Sequence, residues 1–97
     1  MSPSTIPEIR KFRADLFFMG ICSIHPSLGI TCRTLEDLEL KRAMAEASAE
    51  VVGLATAPKL GTAAPMVLGP VSMLRYLITD AASELVRDYA RFGATIL

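Results

Sequence analysis

The sequence predicts an α/β domain built on a parallel, Rossmann-like sheet with helices packed on it. Short continuous apolar runs, which are typical of strands covered on both faces, alternate with stretches of helical apolar spacing. Their order is strand, helix, strand, strand, helix, strand, which is typical of parallel sheets with helical connections. The 97 residues suffice for one such domain.

The first strand is predicted close to the N-terminus. Residues 1–9 contain two prolines and are expected to form a flexible leader, so that the domain spans residues 10–97. The continuous apolar run at residues 16–21 predicts the first buried strand. Residues 25–29 contain Pro and Gly and are expected to form a loop, with a turn role for His25.

The first helix is expected to begin after Thr34. The Thr34 hydroxyl can accept an early backbone N–H, and Asp37 places a negative charge in the positive first turn. Asp37 and Lys41 form a favourable i, i+4 pair. The helix should end near residues 48–49. Its predicted buried face follows the i, i+3, i+4, i+7 spacing and consists of Leu40, Ala43, Met44 and Ala47.

Two further strands are predicted in the centre of the chain. The apolar run at residues 51–55 predicts the second buried strand, and residues 74–78 supply a third. Between them, residues 56–70 are rich in Pro, Gly and Ala and are expected to form a long connection. Within it, residues 66–68 are expected to pair briefly with another strand.

The second helix is predicted near the C-terminus. Asp80 is expected to be its N-cap, and Gly93 is expected to follow its end as the C′ residue. Residues 94–97 predict a final short strand. The predicted buried face of this helix consists of Ala82, Leu85, Val86 and Tyr89.

Composition and charge exclude several classes of protein. Ten basic and ten acidic residues give a net charge of zero, so no general positive field would attract nucleic acid or an acidic membrane. The sequence has no secretory signal and no apolar run of spanning length, which favours the cytoplasm. Hydrophobic residues make up 52% of the chain, so part of the apolar surface is expected to need a partner.

The two cysteines are expected to be buried free thiols. Cys22 and Cys32 are ten residues apart in apolar sequence, without the paired spacing that metal sites require. A disulfide between them is the alternative. No metal or cofactor is predicted, and the glycine-rich phosphate loops and common hydrolase motifs do not occur in the sequence.

Candidate ligand residues follow the predicted strands, because ligands of open parallel sheets bind outside the carboxyl ends of the strands. Gly20 ends the first strand. Lys59 is the one charged residue in the neutral segment 55–61, where its ammonium group could meet a phosphate, although a solvated loop lysine is the alternative. Glu39 is predicted at the flank of the apolar helix face, either pointing toward a ligand or solvated.

Several segments together resemble the effector-sensing domain of DeoR-type bacterial transcriptional regulators. The resemblance covers residues 10–97, and the segments occur in the order and at the spacing of that family. They are Phe-Arg-Ala-Asp-Leu-Phe-Phe-Met-Gly at 12–20, Gly-Ile-Thr at 29–31, the helix at 35–44, Val-Val-Gly-Leu-Ala at 51–55, Lys-Leu-Gly at 59–61 and Leu-Ile-Thr-Asp at 77–80.

The resemblance implies a partial ribose-5-phosphate isomerase-like sensor fold and a phosphorylated sugar or related metabolite as the ligand. It assigns ligand contacts to Glu39 and Lys59, with Gly20 expected near the same ligand because it ends the first strand. A homo-oligomer is expected from the high apolar content of the chain. The resemblance implies no catalytic residues, because residues 19–23 replace the acidic motif of the isomerases and leave no carboxylate to assist Glu39. Thr56 likewise replaces an aspartate of the family.

The resemblance also implies a truncated sensor, without the winged helix-turn-helix that precedes it in the family and without direct nucleic-acid contact. Two alternatives remain. One is an oligomerisation module that binds no ligand, and the other is a phosphosugar isomerase with Glu39 as its base.

Overall fold

The computed structural model describes residues 13–97. The predicted leader at residues 1–9 lies outside the described residues. The strands are β1 Ala14–Gly20, β2 Ser23–His25, β3 Gly29–Cys32, β4 Ser48–Ala55, β5 Met66–Gly69, β6 Tyr76–Thr79 and β7 Thr95–Ile96. The helices are α1 Leu35–Glu46 and α2 Ser83–Arg91, with short 3-10 turns at Ala57–Lys59 and Val71–Met73.

Four strands form a fully parallel sheet in the order β1-β4-β6-β7, which confirms the predicted α/β class. The side chains of Met19, Val51 and Leu77 lie on its inner face and belong to one buried core. Leu38 of α1 and Tyr89 of α2 pack into that same core. Both helices therefore cover the same face of the sheet. This is expected because the connections through α1 and α2 both advance in the same direction across the sheet, and right-handed crossovers then place their helices on one side.

A second, antiparallel sheet of order β2-β3-β5 was not predicted. The segment expected to be a loop is the tight end of the β2–β3 hairpin, where His25 Nδ1 accepts the backbone N–H groups of Ser27 and Leu28. The turn role of His25 is thus confirmed. Gly29 has φ +88°, and a Cβ there would collide with the Gly69 carbonyl oxygen, so the hairpin and β5 fit only around a glycine.

Helix α1 lies between the two sheets. Thr34 caps it as predicted by accepting the Asp37 N–H at 3.1 Å, and Asp37 pairs with Lys41 at 3.1 Å. The helix ends at Glu46, slightly before the expected position. Because it contacts strands of both sheets, its buried surface is broader than a single apolar stripe. Its buried residues are Leu38, Leu40 and Ala43, while Met44 and Ala47 are half-buried.

Helix α2 begins later than predicted. Its N-cap position is Ala82, and Asp80 lies outside the helix with its carboxylate bound elsewhere. Val86 and Tyr89 are buried as expected, whereas Leu85 is 57% exposed because the helix contacts the domain along only a narrow strip. Gly93, with φ +110°, follows the helix at the predicted C′ position.

Candidate functional site

The loop that contains Lys59 leaves the carboxyl end of β4 and is fixed from several directions. The Asp80 carboxylate, just after β6, accepts the backbone N–H of Ala57 at 2.7 Å. The Thr62 hydroxyl donates to the Lys59 carbonyl oxygen at 2.6 Å and closes the turn on itself. The Thr31 hydroxyl of β3 accepts the Ala64 N–H at 2.8 Å. The backbone on both sides of Lys59 is therefore held in one conformation.

A buried hydrogen-bond cluster joins this loop to β2 and α2. The Ile24 carbonyl oxygen accepts the N–H groups of Gly61 at 2.8 Å and Thr62 at 3.2 Å, together with the Tyr89 hydroxyl at 3.0 Å. The Tyr89 oxygen in turn accepts the Gly61 N–H at 2.8 Å. Tyr89 is 1% exposed, and burial raises the pKa of its phenol, although the Gly61 hydrogen bond opposes the shift.

Lys59 lines an open cavity of about 540 Å³ between its loop and the second sheet. Arg33, the first residue after β3, lines the same cavity. The remaining lining residues are Cys22, Ser23, Pro58, Thr62, Ala63, Ala64 and Pro65. The cavity thus combines two cationic side chains and two hydroxyl groups, which is the donor set that binds an anion with oxygen acceptors.

The charges of this cavity are uncompensated among the described residues. None of its described lining residues is acidic. The ion pairs described in residues 13–97 join Lys41 to Asp37, Arg75 to Glu50 and Arg91 to Asp88, so they use neither Lys59 nor Arg33. Neither cation is therefore held by a described ion pair, and an anion in the cavity would be attracted by both.

Gly20 and Glu39, the other predicted ligand residues, are not among the residues lining this cavity. Gly20 ends β1 at the carboxyl edge of the main sheet, and space for a side chain is open around it. Glu39 is exposed, in line with exposed Leu35 and Arg42 along α1. Its exposure agrees with the solvated alternative, and a ligand contact of Glu39 stays a prediction.

Arg33 is the functional candidate that the sequence did not reveal. It is placed at the cavity because β3 ends at Cys32 beside the Lys59 loop, and β3 belongs to the sheet that was not predicted. Its sequence signal is similar to that of Lys59, since both are cations within four residues of the end of a strand. That signal is readable only when the strand itself is recognised.

Both cysteines are free thiols, as predicted, but the predicted burial is correct for Cys32 alone. Cys32 is fully buried, while Cys22 is half-buried and lines the cavity. Burial raises the pKa of the Cys32 thiol, and the nearby Lys41 ammonium partly opposes this rise. Within residues 13–97, no three side chains of His, Cys, Asp or Glu are grouped as a metal site would need.

A second cavity of about 530 Å³ lies at the opposite, amino-terminal edge of the main sheet. Its charged lining residues are of both signs, namely Arg42, Glu46, Glu50 and Arg75. A ligand whose charges all have one sign would be attracted by some of these side chains and repelled by the others. Glu50 and Arg75 moreover already pair with each other at 3.9 Å. The cavity at Lys59 is therefore the better candidate for binding a charged metabolite.

Comparison with known proteins assigns residues 1–81 to a family model described as the DeoR C terminal sensor domain. The match includes the Lys59 loop, Arg33 and Asp80. No curated protein matches the sequence. In the described part of the chain, no helix has the length and apolar character needed to cross a lipid bilayer.

Proposed function

The chain belongs to the DeoR C-terminal sensor domain family, and from this premise we propose that it senses a phosphorylated sugar or a related anionic metabolite. Binding would shift the conformational population of the domain and thereby control a separate DNA-binding module. Such a sensor would act in the cytoplasm, without catalysing a reaction and without itself contacting nucleic acid.

One observation supports the anionic ligand most directly. Lys59 and Arg33 line one cavity, and no described residue of that lining is acidic. An arginine can hold two phosphate oxygens with its planar fork, while a lysine acts as a point charge, so the two side chains suit one phosphate group. The hydroxyls of Ser23 and Thr62 line the same cavity and could bind polar groups of the remaining ligand.

The rigidity of the Lys59 loop also supports binding. Its backbone is held by Asp80, Thr31 and the buried cluster around Tyr89, which come from different elements. A pre-formed loop loses less conformational entropy when a ligand binds. The same hydrogen bonds connect the cavity to α2, so a ligand that moves the loop would also act on that helix.

Gly20 and Glu39 remain proposed contacts of a larger ligand that extends beyond the cavity. Gly20→Ala would fill open space at the edge of the sheet, and Glu39→Gln would remove a charge without changing shape. If either residue contacts the metabolite, the substitution weakens binding while the melting temperature without ligand stays the same. Aldose–ketose interconversion that Glu39→Gln abolishes would instead support the isomerase alternative.

The experiment that tests this function is thermal unfolding of the chain in the presence of sugar phosphates, with the unphosphorylated sugars and inorganic phosphate as comparisons. A ligand at about 100 times its Kd should raise the melting temperature by about 10 °C or more. Lys59→Ala and Arg33→Ala should each reduce this shift. Arg87→Ala, which removes an exposed cation on α2, is the matched control.

The outcomes separate sensing from unspecific charge effects. A shift produced by sugar phosphates and reduced only by the two cavity variants supports the proposal. If no sugar phosphate raises the melting temperature, or if Lys59→Ala leaves the shift unchanged, the proposed ligand class is wrong.

Homo-oligomerisation is a second proposed property. The observation that favours it is the outer face of the main sheet, which no helix of the described chain covers and which exposes large apolar side chains. Light scattering over a range of protein concentrations tests it directly.

A further inference from the structure

The second cavity, of about 530 Å³ at the amino-terminal edge of the main sheet, has an apolar floor. It is nearly as large as the cavity at Lys59, and its volume is within the usual range of small-molecule sites. Val51, Leu68 and Leu74 line it and are buried members of the hydrophobic core. The half-buried Met73 lines it as well and packs against that core. An apolar group that enters this cavity therefore leaves water for a core-like surface.

This cavity is separate from the one at Lys59, and helix α1 extends between the two. Arg33, which lines the Lys59 cavity, directly precedes the N-cap residue Thr34. Glu46, the last residue of the helix, lines the second cavity. A helix of 12 residues is about 18 Å long. A small ligand in one cavity is therefore out of reach of the other.

Glu46 is a carboxylate at the end of the helix that disfavours negative charge. The last turn of α1 carries the negative end of the helix dipole and contains no basic residue. Glu46 is exposed, and none of the ion pairs described in residues 13–97 includes it. A local preference that is broken at one residue often marks a functional position. An ammonium group bound here would compensate both the carboxylate and the helix dipole.

Arg42 adds a positive charge to the same cavity, one helical turn before Glu46. Its Nη2 donates to the carbonyl oxygens of Val67 at 3.4 Å and Leu68 at 3.5 Å, so the guanidinium is held beside β5. Both hydrogen bonds are long and come from the same nitrogen. Its Nε and Nη1 therefore have no acceptor in the described part of the chain. A carboxylate is the ligand group that suits these donors, because it can accept two guanidinium N–H groups at once.

The spacing of these two charges determines the kind of ligand. Residues four apart on a helix have their Cβ atoms about 5–6 Å from each other, so Arg42 and Glu46 lie on one face of α1. No described ion pair joins them. An α-amino acid carries its ammonium and carboxylate groups on one carbon atom, so a single molecule can meet both side chains. The remaining charged pair, Glu50 and Arg75, adds no net charge to the lining.

We propose that this second cavity binds a free α-amino acid with an apolar side chain. Its ammonium group pairs with Glu46 at the end of α1, and its carboxylate accepts N–H groups of Arg42. Its side chain contacts the floor formed by Val51, Leu68 and Leu74. The ligand has no net charge, so a lining with charges of both signs suits it. This site is independent of the proposed effector sensing at the other cavity.

The test is isothermal titration calorimetry of the full chain with leucine and three analogues. Leucine should bind with a Kd of about 1 mM or lower. N-acetylleucine lacks the ammonium group, leucinamide lacks the carboxylate and glycine lacks the side chain, so each should bind about tenfold more weakly or less. Leucine that does not bind at about 20 mM overturns the proposal. Equal affinity for leucine and any one of the three analogues overturns it as well.

Variants assign the binding to this cavity. Glu46→Gln and Arg42→Gln should each raise the leucine Kd about tenfold. Glu46→Gln removes a charge that the helix dipole disfavours, so the variant should be folded as well as the parent chain. Glu84→Gln removes an exposed acid from the first turn of α2 and is the matched control, which should leave the Kd unchanged. Unchanged leucine binding in both α1 variants, or an equal loss in Glu84→Gln, overturns the assigned site.

Lys59→Ala separates this proposal from effector sensing. The variant should bind leucine like the parent chain, although its thermal shift with sugar phosphates should be reduced. Leucine binding that Lys59→Ala abolishes would place the amino acid in the wrong cavity and overturn the proposal. A chain that binds leucine but no sugar phosphate would leave this site in place and refute the proposed effector class alone.

Discussion

The carboxylate of Asp80 accepts the backbone N–H of Ala57 in a hydrogen bond of 2.7 Å. It thereby joins the residue after β6 to the first residue of the turn that contains Lys59. Carboxyl ends of adjacent parallel strands meet at one edge of a sheet, and this hydrogen bond uses that proximity to position a candidate ligand residue. The acid therefore acts on the loop of the neighbouring strand rather than as a cap on its own helix.

Asp80→Ala should destabilise the chain and weaken effector binding together. Loss of a hydrogen bond from a backbone N–H to an exposed carboxylate costs about 1 kcal/mol of unfolding free energy, and the Lys59 turn loses one of its anchors. Urea unfolding measures the first effect and the ligand-induced thermal shift measures the second. Asp88→Asn on the exposed side of α2 is the control, and equal ligand shifts in Asp80→Ala and the parent chain would contradict the positioning role.

Tyr89→Phe should clearly lower the free energy of unfolding, although it removes only one oxygen atom. The phenol bridges Gly61 and Ile24 in a buried place, and its loss costs about 1–3 kcal/mol of unfolding free energy. Chemical denaturation measures this loss. Tyr76→Phe, at a half-buried position outside the cluster, should have a much smaller effect, and similar losses in the two variants would argue against the cluster as the anchor of the loop.

Tyr89 should also make the chain sensitive to alkaline pH. Burial raises the pKa of its phenol above the ordinary value near 10, so the folded state retains the proton more strongly than the unfolded state. The resulting stabilisation is complete below about pH 10 and is lost as the pH rises through the folded pKa. The unfolding free energy of the parent chain should therefore fall more steeply above pH 10 than that of Tyr89→Phe, and parallel pH profiles would contradict this.

Gly29→Ala should disrupt the second sheet. Residue 29 has a positive φ, and a Cβ would collide with the Gly69 carbonyl oxygen of β5, so a loss of about 2 kcal/mol or more of unfolding free energy is expected. Arg33 follows the same β3 strand, so effector binding should weaken as well. Gly61→Ala is the control that distinguishes backbone strain from steric collision. Gly61 also has a positive φ, but no atom lies within 4 Å of the position that its Cβ would take. A loss as large in Gly61→Ala would show that the collision contributes little.

The two thiols should react at different rates with a water-soluble disulfide reagent. Cys22 is half-buried and lines the open cavity, whereas Cys32 is fully buried and burial raises its pKa. Cys22 should therefore react first, and Cys32 should react only on unfolding. Cys22→Ser and Cys32→Ser identify each thiol in the time course. A sugar phosphate that occupies the cavity should slow the Cys22 reaction, and fast labelling of Cys32 in the folded chain would contradict its described environment.

Periodicity and capping determined the elements that depend on local sequence. The apolar run of β1, the Thr34 cap of α1 and the Gly93 end of α2 are local features, because strand alternation, helix spacing and cap hydrogen bonds involve residues close in the chain. The same reasoning located Lys59 after β4. A family resemblance supplied the sensor identity, which the family model over residues 1–81 confirms.

Tertiary structure alone decided which distant groups meet. Pairing of β3 with β5 depends on hydrogen bonds between segments more than thirty residues apart, which no local pattern encodes. This pairing helps to bring Arg33 to the cavity that Lys59 also lines. Likewise, Asp80 satisfies an N–H on a neighbouring loop instead of its own helix, because the sheet brings that loop closer. The exposure of Glu39 was also fixed by packing, since α1 is enclosed by two sheets and solvent reaches only its remaining side.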